Sequence, residues 1–178
     1  MKRGLLALLL GLVLAGCGDD GGGSSTSEGD SDAAFATELL HRDAALLNLL
    51  DVSLGRDLDP GLAATGEQQR IDANERMTTA SELLKQWGEE VPPTSRDHGA
   101  EHSSDGDVPE LDGMPTGDDL QKLAKLDGQE FVDQYVALLT TALEATAAFA
   151  EDHEGREQAA DDLARAAVAS TGSALDAL

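Results

Sequence analysis

The sequence predicts an all-α protein, a four-helix bundle built from two copies of one helical hairpin. Three observations predict it. Phe35, Leu39, Leu46 and Leu49 recur at steps of four, seven and three, which return to a single helical face. One hundred residues later Tyr135, Leu139, Thr146 and Phe149 repeat that plan. Glycines, prolines and capping residues then divide the rest of the chain into pieces of helix length. On the inward seam the first copy carries Arg42 and Asp43, and the second carries Ala142 and Leu143. Function turns on those four positions.

Residues 1–16 read as a signal peptide rather than as part of the fold. Lys2 and Arg3 form a positive start, Leu5 to Leu14 a short apolar run, and Leu14, Ala15, Gly16 and Cys17 close it. This ending resembles the lipobox of bacterial lipoproteins. The resemblance implies cleavage before Cys17 and a diacylglyceryl thioether on that cysteine, which becomes the first residue of the mature chain. The alternative is an ordinary secretory peptide with a chance cysteine. Cys17 is the single cysteine, so no intramolecular disulfide can form. Several acyl chains give stable anchoring, and no later segment is long and apolar enough to span a bilayer. Residues 17–30 supply the lipidated cysteine and a flexible acidic Gly/Ser tether with little apolar surface to bury.

The bundle is expected over residues 31–178, with the first hairpin at 31–88, a linker at 89–115, and a short helix plus the second hairpin at 116–178. Ser31 is the expected cap of the first helix and Gly55 its stop. Asp59 followed by Pro60 restarts a helix in the favoured order of cap and first-turn proline. That second helix carries Ala73, Met77, Ala80, Leu84 and Trp87 at helical spacing and stops at Gly88. The linker is marked by Pro92, Pro93, Gly99, Gly106, Pro109 and Gly113. Within it His98 and His102 stand four apart, but glycines and serines deny them a rigid frame, so a solvated loop is the expected reading. Thr116 to Asp119 fits a capping box for a short helix ending at Gly128. The third long helix spans about 129–152. The fourth, 156–177, is so rich in alanine that it packs closely but buries little area per residue.

Composition excludes some functions. The formal net charge is -23, from 12 Lys and Arg against 35 Asp and Glu, which is the wrong sign for nucleic acid. Such a surface keeps a protein soluble and attracts divalent cations only weakly. Aromatic residues make up 3% of the chain, so the core is built from Leu and Ala.

The framework of Phe35 to Leu50, with LLKQWG at Leu83 to Gly88, DGM at Asp112 to Met114 and LDGQEF at Leu126 to Phe131, resembles the domain of unknown function 305 family. The similarity covers about residues 32–178. It implies a ferritin-like four-helix bundle, exported or lipid-anchored in bacteria. It also implies a run of Met, Ile, any residue, His, His in each half with further methionines, through which some members bind copper or related metals. Thioether and imidazole suit Cu(I). Here the first motif reads Leu39, Leu40, His41, Arg42, Asp43 and the second Leu139, Thr140, Thr141, Ala142, Leu143, with Leu49 and Phe149 at the later methionine positions. Arg42, Asp43, Ala142 and Leu143 therefore mark a degenerate family site, and no metal is expected there. If Arg42 faces inward it needs Asp43, Glu75 or Glu144 as partner; otherwise it snorkels to the bundle edge.

The expected function is a membrane-anchored envelope lipoprotein, a binding or structural module rather than an enzyme, with no cofactor beyond the lipid on Cys17. Its partners would be the bilayer, through Cys17, and an envelope protein not identified by the sequence. Glu38 and His41 spell one ExxH, but di-iron bundles need two such motifs and two more glutamates. No catalytic residue is assigned. The alternative is an envelope metal-binding protein of copper type, with a weak relocated site using His41, His98, His102 and His153 with carboxylates. Inner or outer membrane is not assigned.

Overall fold

The computed structural model describes residues 28–97 and 109–178. Cys17, with the signal peptide and tether, and the linker histidines His98 and His102 lie outside the described residues. The elements are α1 (Glu28–Val52), α2 (Pro60–Trp87), α3 (Gly117–Ala124), α4 (Gly128–Glu151) and α5 (Gln158–Leu175). All regular structure among the described residues is helical, and the four long helices form the bundle expected from the repeat.

Helix α1 is the axis of the molecule. Leu39, Leu40, Leu46, Leu47, Leu49 and Leu50 are all essentially inaccessible to water, and each buried leucine contributes about 1.5–3 kcal/mol. A helix buried on every side loses the usual polar stripe. Accordingly α1 is wrapped by α2, α4 and α5, and the linker closes its remaining face: Asn48 Nδ2 donates to Ser95 Oγ at 2.9 Å, and Arg96 Nη1 reaches Asp51 at 2.8 Å. Phe35 near the start of α1 stacks on Phe149 near the end of α4, so these two helices run antiparallel.

The helix ends follow local chemistry. Asp59 accepts from Gly61 N and Leu62 N with Pro60 in the first turn, and Gly88 stops α2 at φ 81°. Thr116 and Asp119 form the reciprocal capping box of α3. Two boundaries differ from expectation. Helix α1 starts at Glu28, which places Ser31 inside it rather than at its cap. Helix α3 ends at Ala124, and Gly128 opens α4 instead of closing α3. The last carbonyls of the α3 segment are taken by Arg56, whose Nη2 donates to Ala124 O at 2.8 Å and Nη1 to Leu126 O at 3.0 Å.

The apolar interior has two ends. One gathers Phe35, Leu39 and Leu40 of α1 with Leu83 and Leu84 of α2 and Leu163 of α5. The other gathers Leu46 to Leu50 with Leu123, Phe131, Tyr135, Leu139 and Leu143. Met77 packs against both, and Trp87 lies partly buried on the first. Between the two ends lies a polar layer: Arg42 and Asp43 of α1, Arg76 of α2, Thr146 of α4 and Thr171 of α5 are all buried there.

Candidate functional site

The four seam positions sit at this polar layer and the apolar side chains bordering it. Ala142 and Leu143 are fully buried and simply pack. Asp43 is 0% exposed and meets Arg76, which donates from Nε to both carboxylate oxygens at 3.2 and 3.0 Å and from Nη2 to Oδ1 at 2.5 Å. Arg42 is buried as well, and its partner is none of Asp43, Glu75 and Glu144. It pairs with Glu38 one turn earlier, at 2.7 Å, and donates from Nη1 to the Asp112 carbonyl at 3.2 Å. The physical reason is side-chain direction. A helical side chain leans toward the N-terminus over residue i−4, whereas Asp43 lies about 100° further round the helix. Its guanidinium also covers the face of Phe149, 4.6 Å from the ring centroid.

The aromatic column continues. Phe149 stacks on Phe35 at 5.3 Å, and Phe35 stacks on the His153 imidazole at 4.0 Å. His153, in the turn after α4, directs Nε2 toward Asp32 Oδ1 at 3.4 Å and Asp161 Oδ1 at 3.7 Å. Asp32 uses its other oxygen on the turn between α4 and α5: Oδ2 accepts from Arg156 N and Glu157 N, each at 3.2 Å. Gly155 is obligatory beside them, because a Cβ there would overlap Asp32 Oδ1 and His153 Nε2. His41 is buried without a partner for Nδ1, and burial lowers its pKa while Glu38 pulls it back up.

The histidines thus serve separate places. His41 faces Glu38, His153 faces Asp32 and Asp161, and among the described residues no group of three His, Cys, Asp or Glu side chains is arranged to hold a metal ion. The lone ExxH is spent, since Glu38 is committed to Arg42. Met114, of the DGM segment, rests against Thr146, whose hydroxyl points to Sδ at 3.8 Å. Gly113 beside it has φ 76° and lies so close to Ala145 that any side chain would collide with it.

Sequence reasoning missed Asp32, Arg76, Arg56 and Gly155. For Glu38 the signal was present, an acidic residue four places before an arginine on one helix. For the others the partner comes from a distant helix, and no local pattern announces it.

A family model described as a domain of unknown function, DUF305, matches residues 32–178. The fold is similar to the crystal structure of a DUF305 fragment from Deinococcus radiodurans, with a TM-score of 0.67 and 17% identity over 82% of this chain and 91% of that one. It is also similar to the crystal structure of a Streptomyces coelicolor DUF305 protein named as secreted, with a TM-score of 0.68 and 18% identity over 84% and 89% of the two chains. A search of curated proteins gave no match.

Proposed function

The chain belongs to the DUF305 family, and from that premise we propose that it is a lipid-anchored envelope protein that acts as a non-enzymatic binding or structural module. It keeps the bundle and has lost the family's His/Met metal site. The observation that carries this reading is the chemistry at the four seam positions. Arg42 is neutralised by Glu38 and Asp43 by Arg76, while Ala142 and Leu143 have no donor atom. A cation entering there meets two buried guanidiniums, and the carboxylates of Glu38 and Asp43 are already paired with them, so no charged ligand is left over.

Export is supported by the signal peptide pattern and by the likeness to a protein named as secreted. Anchoring through Cys17 is supported by the lipobox. Among the described residues no helix is long and apolar enough to cross a membrane, so the acyl chains would supply the attachment. The protein partner then meets the acidic bundle surface.

The test is calorimetric titration of the mature chain carrying Cys17→Ser with Cu(I) without oxygen, and with Cu(II) and Zn(II), at low and moderate salt. We expect only weak binding that salt erases. Stoichiometric, salt-resistant binding tighter than about micromolar, ~8 kcal/mol, would overturn the loss of the metal site. In the native host, palmitate labelling of the wild type and its absence from Cys17→Ser check the anchor.

A further inference from the structure

The polar layer holds an ion pair whose cation has a choice of partners. Asp43 is fully enclosed and Arg76 is 3% exposed. Besides its three contacts to Asp43, Arg76 donates from Nη1 to Ser170 Oγ of α5, and Gln69 Nε2 donates to Ser170 O at 3.0 Å. One guanidinium therefore ties α1, α2 and α5 together. The same side chain lines an open groove of about 370 Å³ between α2 and α5, together with the carboxylates of Asp72, Glu75 and Asp162. Asp72 accepts from Gln68 and Asp162 pairs with Arg165 on the surface. Both contacts are exposed and therefore weak.

We propose that Asp43 and Arg76 form a proton-operated clasp: when Asp43 takes up a proton, Arg76 transfers from the interior to the groove carboxylates, and its bond to Ser170 of α5 is lost. The cost of burying an unpaired charge drives that step. Guanidinium remains charged at every relevant pH, and a buried cation without a counter-charge is costly. Once Asp43 is neutral, the groove that Arg76 already lines offers the carboxylates of Asp72, Glu75 and Asp162.

The surroundings favour protonation. Burial pushes the Asp43 carboxyl up, the charge and hydrogen bonds of Arg76 pull it down, and Asp72 pushes it up again; together they raise it to about 6. On α1 the neighbouring Arg42 is held by Glu38 and the Asp112 carbonyl, and His41 is driven toward its neutral form. From α5 the uncharged Ser170 and Thr171 reach the layer and Asp162 lines the groove, and α4 brings the uncharged Thr146 to the layer. Because the folded-state pKa lies above the unfolded value, this group's contribution to stability is fully present below the unfolded pKa and is lost as pH rises through about 6. The clasp therefore opens in acid without unfolding the bundle through this group.

The experiment is carboxyl and guanidinium NMR of the mature chain across pH 4.5–8, with amide exchange read at α5. The Asp43 carboxyl should titrate near pH 6. The Arg76 Nε–H resonance should move with the same midpoint, and exchange around Ser170 should rise about tenfold, the effect of losing one charged hydrogen bond. Asp43→Asn should show at pH 7.5 the Arg76 signal and α5 exchange that the wild type shows in acid. Replacing Asp72, Glu75 and Asp162 by amides should move the wild-type midpoint to lower pH. An Arg76 resonance that stays fixed while Asp43 titrates overturns the proposal, as does an Asp43→Asn protein with the neutral wild-type signature. If that variant does not fold, the wild-type titration decides alone.

Discussion

Arg42 and Asp43 are adjacent in sequence and opposite in charge, yet they do not pair. Each is satisfied on its own side of α1, by Glu38 and by Arg76. Arg42→Ala removes the Glu38 pair, the bond to the Asp112 carbonyl and the cover on Phe149. Glu38 is partly exposed and can rehydrate, so we expect a loss of about 2 kcal/mol, well below that for a fully enclosed pair. Arg42→Met keeps the volume and should cost about 1 kcal/mol or less. Urea unfolding of the two variants checks the order, and equal losses would mean that charge rather than packing sets the cost. The Arg42–Glu38 contact was readable from spacing. That Asp43 would meet Arg76 was not, because 33 residues and a helix reversal separate them.

At the scale of elements, the linker and the short helix are specific structure rather than plain connection. The capping box of α3 was legible as Thr116 to Asp119 and is present. Hydrogen bonds from the Thr116 hydroxyl, and then from its backbone, hold the Asp119 carboxyl below the usual range. Its contribution is present above the unfolded pKa and is lost as pH falls through the folded one. Thr116→Ala should weaken α3 by about 1 kcal/mol, seen as faster amide exchange confined to α3. Gly113→Ala should do more. It forces a left-handed φ of 76° on a residue with a Cβ and drives that Cβ into Ala145, at a cost of about 2 kcal/mol or more. A thermal melt of that variant within error of wild type would show that the DGM segment is not seated on α4. The DGM signature was visible in the sequence, but its reason is this close approach. Helix α1 was likewise visible as a periodic stretch, although its burial on every side depends on residues 91–97 and 112–114 lying across it.

For the whole molecule, the few arginines are used inside the fold. Arg42, Arg56, Arg70, Arg76 and Arg96 donate to carbonyls and carboxylates within the fold. Among the described residues the buried charges cancel, Arg42 and Arg76 against Asp32 and Asp43, so the net charge of -23 is carried outside the core. Self-repulsion of that charge opposes compaction, and salt screens it. Raising NaCl from about 0.02 to 0.5 M should therefore increase Tm by about 2–4 °C, corresponding to ~1 kcal/mol. A Tm that falls with salt would mean that the internal ion pairs outweigh surface repulsion.

The sequence by itself determined the helical class, the repeated hairpins, the main caps and stops, and the residues Arg42, Asp43, Ala142 and Leu143 at the repeated seam positions. Each of these is written in residues a few places apart, where helical period and capping chemistry act. Only the tertiary structure decided what those side chains meet. It paired Asp43 with Arg76 across helices, sent Asp32 to the turn before α5, and aligned Arg42, Phe149, Phe35 and His153 in one column. The reason is that a buried charge takes whichever partner the packed helices bring within hydrogen-bond distance. That distance is set by helix register across the core, a quantity no local stretch of sequence contains.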